Sequence, residues 1–172
     1  MGVGKTEVCE ILKSKLERAV FLDGDWCWDA DPFIVNDETK RMVEDNICCL
    51  LNNFIRCSEY ENIIFCWVMH EQGIIDGICS RLDLSECHVK KISLTCSQEE
   101  LCKRLGKDIA SGKRQVDVIE RSLQRLPLYE SLDTIKIDTT DMDPEDVAER
   151  ILEAINFYTT FSLSFLCFLC IV

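Results

Sequence analysis

The chain has 172 residues, enough for one domain with a substantial core, and 47% of them are hydrophobic, as in ordinary globular proteins. It carries 31 acidic against 19 basic side chains, a formal net charge of -12. That balance argues against a nucleic-acid backbone or an anionic membrane surface as partner, but not against a small polyanion held by backbone amides and a few cations.

Met1-Gly2-Val3-Gly4-Lys5-Thr6 opens the sequence. Gly4-Lys5-Thr6 matches the end of G-x-x-x-x-G-K-[ST], the phosphate-binding loop that follows a buried strand. Aligned on these residues, the first glycine of the pattern and its feeding strand fall before Met1. Glycines let backbone N–H groups converge on phosphate oxygens, and the helix that follows adds its positive N-terminus. Gly2, Val3, Gly4, Lys5 and Thr6 are therefore expected to contact ATP. Lys5 would reach the β and γ phosphates, and the Thr6 hydroxyl would ligate Mg2+.

A helix is predicted over 7–18, with Val8, Ile11, Leu12 and Leu16 on its apolar face. Ala19-Val20-Phe21-Leu22 reads as a buried strand ending in Asp23-Gly24-Asp25. Ligands of doubly wound sheets gather at the carboxyl ends of strands. Carboxylates there can bind an acceptor hydroxyl, take its proton and help hold Mg2+. Asp23 and Asp25 are both candidate catalytic residues, with Asp23 also a metal ligand. Trp26 and Trp28 follow, either as walls of an acceptor pocket or as interior packing.

Asp37 precedes a long helix to about residue 57, with Met42, Ile47, Leu50, Leu51, Phe54 and Ile55 as its apolar positions. A nearly all-apolar strand is predicted over 62–68. His70 and Glu71 come just after it, placed to contact the acceptor or, for the histidine, to serve as a structural hydrogen bonder. A helix over 71–81 and a strand over 89–95 follow, and His88 is expected to be exposed. Ser97-Gln98-Glu99-Glu100 is a good helix start. The stretch 104–125 is dense in cations. A last strand over 134–138 precedes Asp143-Pro144-Glu145, which opens the final helix. Strands alternating with helices, and apolar on both faces, indicate a single α/β domain with a mostly parallel sheet.

The sequence has 12 cysteines and no repeated pairs at zinc spacing. Cys9, Cys48, Cys49, Cys66 and Cys102 lie within apolar patterns, where a thiol behaves as a small hydrophobe. Free thiols in a reducing cytoplasm are expected. Cys167 and Cys170 lie in an apolar, uncharged tail over 157–172.

Four segments together resemble the small P-loop kinases: the opening loop; Phe21-Leu22-Asp23-Gly24-Asp25-Trp26; Ile63-Ile64-Phe65-Cys66-Trp67-Val68-Met69-His70; and the basic R-x-x-D-V-I-E-R-S-L-x-R-L stretch over 114–126. Gluconate, shikimate and adenylylsulfate kinases and chloramphenicol phosphotransferase are branches of that group. Bacterial nucleotide-kinase-like proteins described as AAA-type ATPases are similar as well. The resemblance covers 1–156. It implies a three-layer P-loop NTPase sandwich, a parallel sheet in the order 2-3-1-4-5 and a helical lid at about 101–125. It also implies transfer of the ATP γ-phosphate to a small-molecule hydroxyl, with Mg2+. Within the lid, Arg114 and Arg121 are the candidate catalytic cations. Arg104 and Arg125, with Trp26, His70 and Glu71, are candidate substrate contacts.

The strand missing before Met1 would be the central one. Its absence predicts an open sheet, low stability and weak ATP binding, and so a second reading as a non-catalytic module with the same fold. The tail has three readings. Residues 161–172 are long enough to fill the gap as a strand. The segment from 154 is almost long enough to span a bilayer, although acidic residues precede it. A shifted reading frame would produce a similar composition. Acceptor identity and oligomeric state stay open.

Overall fold

Short apolar runs alternating with amphipathic stretches bury their side chains and satisfy their backbone together when they form a parallel sheet covered on both faces. The computed structural model describes residues 2–156 and 166–172. Its strands are β1 (Ala19–Asp23), β2 (Asn62–Cys66), β3 (Cys87–Thr95), β4 (Ile135–Asp138) and β5 (Leu166–Ile171). Its helices are α1 (Lys5–Lys15), α2 (Asp37–Ile55), α3 (Gln72–Cys79), α4 (Gln98–Ala110), α5 (Val118–Arg125) and α6 (Pro144–Asn156). The sheet runs β1-β2-β5-β3-β4, and every neighbouring pair is parallel.

Successive residues of a strand face opposite sides, and the burial follows that period. Phe21, Ile64, Cys66, Ile92 and Leu94 join Val8 and Leu12 of α1, Leu101 and Leu105 of α4, and Ile151 of α6 in one hydrophobic cluster. Leu22, Ile63 and Phe65 join Val43, Ile47 and Leu51 of α2 and Ile75 and Ile78 of α3 in the other.

Local chemistry sets the helix starts. Asn36 accepts from the Thr39 backbone N–H at 2.9 Å while Thr39 Oγ1 accepts from the Asn36 N–H at 3.0 Å, a capping box that begins α2 at Asp37. Ser97 Oγ accepts from the Glu100 N–H at 3.1 Å and begins α4. The buried face of α2 is rotated from the predicted one. Val43, Ile47, Cys48 and Leu51 are buried, whereas Met42 and Leu50 are 43% and 38% exposed. A helix has room for one stripe of about 100° against the sheet, and the stripe centred on Ile47 and Leu51 leaves Met42 and Leu50 at its edge. Cys49, expected inside, is exposed for the same reason. His88 is exposed, as expected.

Among the described residues the expected open centre of the sheet is not there, because 166–172 fill it. β5 lies between β2 and β3, paired from Asn62↔Cys167 to Cys66↔Ile171 on one side and from Cys87↔Leu166 to Ile92↔Ile171 on the other. Beyond it, the Val172 N–H donates to the Ile92 carbonyl at 2.9 Å, and the Leu94 N–H donates to the Val172 carbonyl at 3.2 Å. An uncharged run suits a strand flanked on both edges and covered on both faces. Its backbone supplies the partners that β2 and β3 would otherwise lack, so the reason for expecting low stability is removed. No helix among the described residues is long and apolar enough to cross a membrane. The span 157–165 and the side chains of Cys167 and Cys170 lie outside the described residues.

Candidate functional site

Gly2 and Gly4 take φ of 81° and 87°, the left-handed region that side chains rarely adopt. Gly4 is the N-cap of α1, and its carbonyl accepts the first helical hydrogen bond, from the Val8 N–H at 3.0 Å. The turn thus delivers the positive end of α1 to the carboxyl ends of β1 and β2. A cavity of about 760 Å³ opens there, lined by residues 2–8, the ends of β1 and β2, α4 and the segment after it, and the start of α6.

Lys5, Thr6, Asp23 and Asp25 converge on this cavity. Thr6 Oγ1 donates to Asp23 Oδ2 at 2.7 Å, and Asp23 Oδ1 accepts from the Asp25 N–H at 3.0 Å. Asp23 itself is buried. The Lys5 ammonium is held below the usual lysine range, chiefly because protein encloses it. Cys66, Asp25, Asp23 and Cys9 oppose that shift without cancelling it. Asp25 keeps an exposed edge, yet protein crowding raises its carboxyl above the usual range, and Asp23 beside it adds to the effect. Lys5, a hydrogen bond from Trp67, and Arg114 pull it back.

Three basic residues of the lid region line the cavity in addition to Arg104: Lys107, Lys113 and Arg114. Arg114 Nε pairs with Asp108 Oδ2 at 3.0 Å. Arg104 braces the end of β4 to α4. It donates from Nε to Glu100 Oε1 at 2.9 Å, from Nη1 to Thr139 Oγ1 at 3.1 Å and from Nη2 to the Thr139 carbonyl at 2.7 Å. The stretch expected to form a lid, 101–125, comprises most of α4, a connecting loop and α5.

Other candidates lie away from the cavity lining. Arg121 pairs with Asp117 at 3.0 Å on an exposed face. Arg125 lies near His70 and Tyr129. Trp26 is 56% exposed and meets Phe21 edge-on at 5.1 Å, while Trp28 packs on Phe33 at 4.8 Å. His70 Nε2 is 3.5 Å from Glu71, and its Nδ1 is buried with no hydrogen-bond partner.

Sequence reasoning missed Trp67, Lys107, Asp108, Lys113 and the apolar patch of Met142, Pro144 and Val147, all of which line the cavity. The rule that ligands gather at the carboxyl ends of strands would have found Trp67, the first residue after β2, and the patch following β4.

Among the described residues no group of three or more His, Cys, Asp or Glu is arranged to hold a metal ion. The Thr6 hydroxyl and Asp23 carboxylate are nonetheless hard oxygen donors beside a phosphate cradle. Mg2+ takes only one or two protein oxygens in such sites and completes its shell with phosphate and water, so this donor pair fits it.

Residues 1–125 match the model of a family described as an AAA domain, a stretch that runs from the glycine turn to the end of α5. No curated protein matches the chain.

Proposed function

The chain belongs to the AAA domain family, a P-loop kinase-like group, and from that premise we propose that it binds ATP with Mg2+ and transfers the γ-phosphoryl group to the hydroxyl of a small molecule. One observation carries this reading above the rest. A half-buried Lys5 and the Thr6–Asp23 pair at 2.7 Å stand together at a glycine-cornered helix N-terminus that opens on the cavity. An ammonium beside the positive end of a helix favours an anion between them, and a polyphosphate supplies one.

The backbone N–H groups of the turn and Lys5 would hold the phosphates. Thr6 and Asp23 would hold Mg2+, which when bound neutralises charge on the phosphate oxygens. Asp25 would accept the proton of the acceptor hydroxyl, and its raised proton affinity suits that task. Arg114 is the better lid cation for the transferring phosphoryl, since it lines the cavity and Arg121 does not. Three N–H donors of Arg104 are engaged by Glu100 and Thr139. Its planar face, with Met142, Pro144 and Val147, would take the adenine base. The helices on both faces support the three-layer P-loop arrangement.

The test is turnover of MgATP with a broad panel of hydroxyl acceptors, native chain against Lys5→Ala. Losing a preorganised cation where charge develops is expected to lower turnover about a hundredfold. Equal turnover in the two chains would remove Lys5 from the reaction.

A further inference from the structure

Asp25 carries the chemistry in this reading, so the placement of its carboxylate matters. Its backbone N–H is fixed on Asp23 Oδ1 at 3.0 Å, but that bond restrains the main chain and not the carboxylate. A short side chain on an exposed edge has free rotamers toward water unless something holds it.

Trp67 supplies the hold. Its indole Nε1–H donates to Asp25 Oδ1 at 3.1 Å and so ties the residue after β2 to the segment after β1. Gly24 makes the approach possible: a Cβ there would lie 2.5 Å from Trp67 Cγ and 2.9 Å from Trp67 Cβ. Trp67 also lines the cavity beside Lys5 and Arg114, so the ring is a wall of the same space the acceptor would enter. Indole nitrogen is a donor only, and its ring packed on a glycine has little freedom to turn away.

We infer that Trp67 is a positioning residue for Asp25: its N–H holds the carboxylate at the cavity, in the place where an acceptor hydroxyl gives up its proton. The kinetic consequence rests on the phosphotransfer reading above; the tether itself does not.

Two measurements test it. In the ¹H–¹⁵N spectrum of the whole chain, the Trp67 indole resonance is the one of three that disappears in Trp67→Phe. In Asp25→Ala it is expected to move upfield and to exchange faster with solvent, as a freed N–H does. An indole resonance and exchange rate indifferent to Asp25→Ala would overturn the inference. In turnover, Trp67→Phe keeps a ring against Gly24 and loses the donor. It is expected to lower kcat about tenfold while KM for ATP stays within about twofold, because the transferred proton and not the nucleotide is mispositioned. An unchanged kcat would overturn it. Should the native chain turn over no acceptor, the phosphotransfer reading fails, and the indole resonance alone decides on the tether.

Discussion

Asp25 and Trp67 stand 42 residues apart in sequence and 3.1 Å apart in the fold, and that contrast explains which site residues were legible. Lys5, Thr6, Asp23 and Asp25 announce themselves because their chemistry is local: a glycine turn into a helix, and a strand that stops at a carboxylate. Trp67 carries no local mark, since its role exists only once β1 and β2 are paired. Arg121 failed to reach the cavity for a related reason, since cation density does not say which helix face a cation occupies. His70 gives a prediction at this scale. Burial, and then Arg125, hold its imidazole below the ordinary pKa, so the folded chain binds that proton less tightly than the unfolded chain does. Its contribution is therefore complete at neutral pH and falls as pH drops through the unfolded value of about 6.5 toward the folded one. Urea midpoints measured from pH 7 down to about 5 are expected to decline less steeply in His70→Gln than in the native chain. Parallel declines would show that His70 is not a source of the acid sensitivity.

At the level of elements, the start of α4 was readable from its Ser97–Glu100 cap, whereas α2 opens one residue before the expected place, on the Asn36–Thr39 capping box. The terminal strand was not, because an uncharged apolar run fits a bilayer, a buried strand or a shifted frame equally well. Only pairing with β2 and β3, elements about a hundred residues upstream for β2, separates those readings. If β5 is integral, its loss must leave two facing edges in the middle of the sheet. A chain ending at residue 156 is expected to lose cooperative urea unfolding. Ile171→Ala, at a fully buried position, is expected to cost about 2–5 kcal/mol. A chain cut at 156 that unfolds with the native midpoint would exclude β5 from the stable sheet.

Across the whole molecule, the acid excess of -12 lies outside the cavity. The lining balances Lys5, Arg104, Lys107, Lys113 and Arg114 against Glu7, Asp23, Asp25, Glu100 and Asp108. A lining without net charge attracts a triphosphate only through the fixed turn, the nearest cations and a metal that lowers the charge of the ligand. Binding should therefore depend on both Lys5 and Mg2+. The measurement that bears most directly on this is calorimetric titration of the 172-residue chain with MgATP, repeated with Lys5→Ala and again in excess EDTA. Saturable one-to-one binding is expected, weakened at least about tenfold by the substitution and by removal of the metal. Absence of saturable binding, or binding equally tight without Lys5, would contradict the assignment of this cavity as an ATP site.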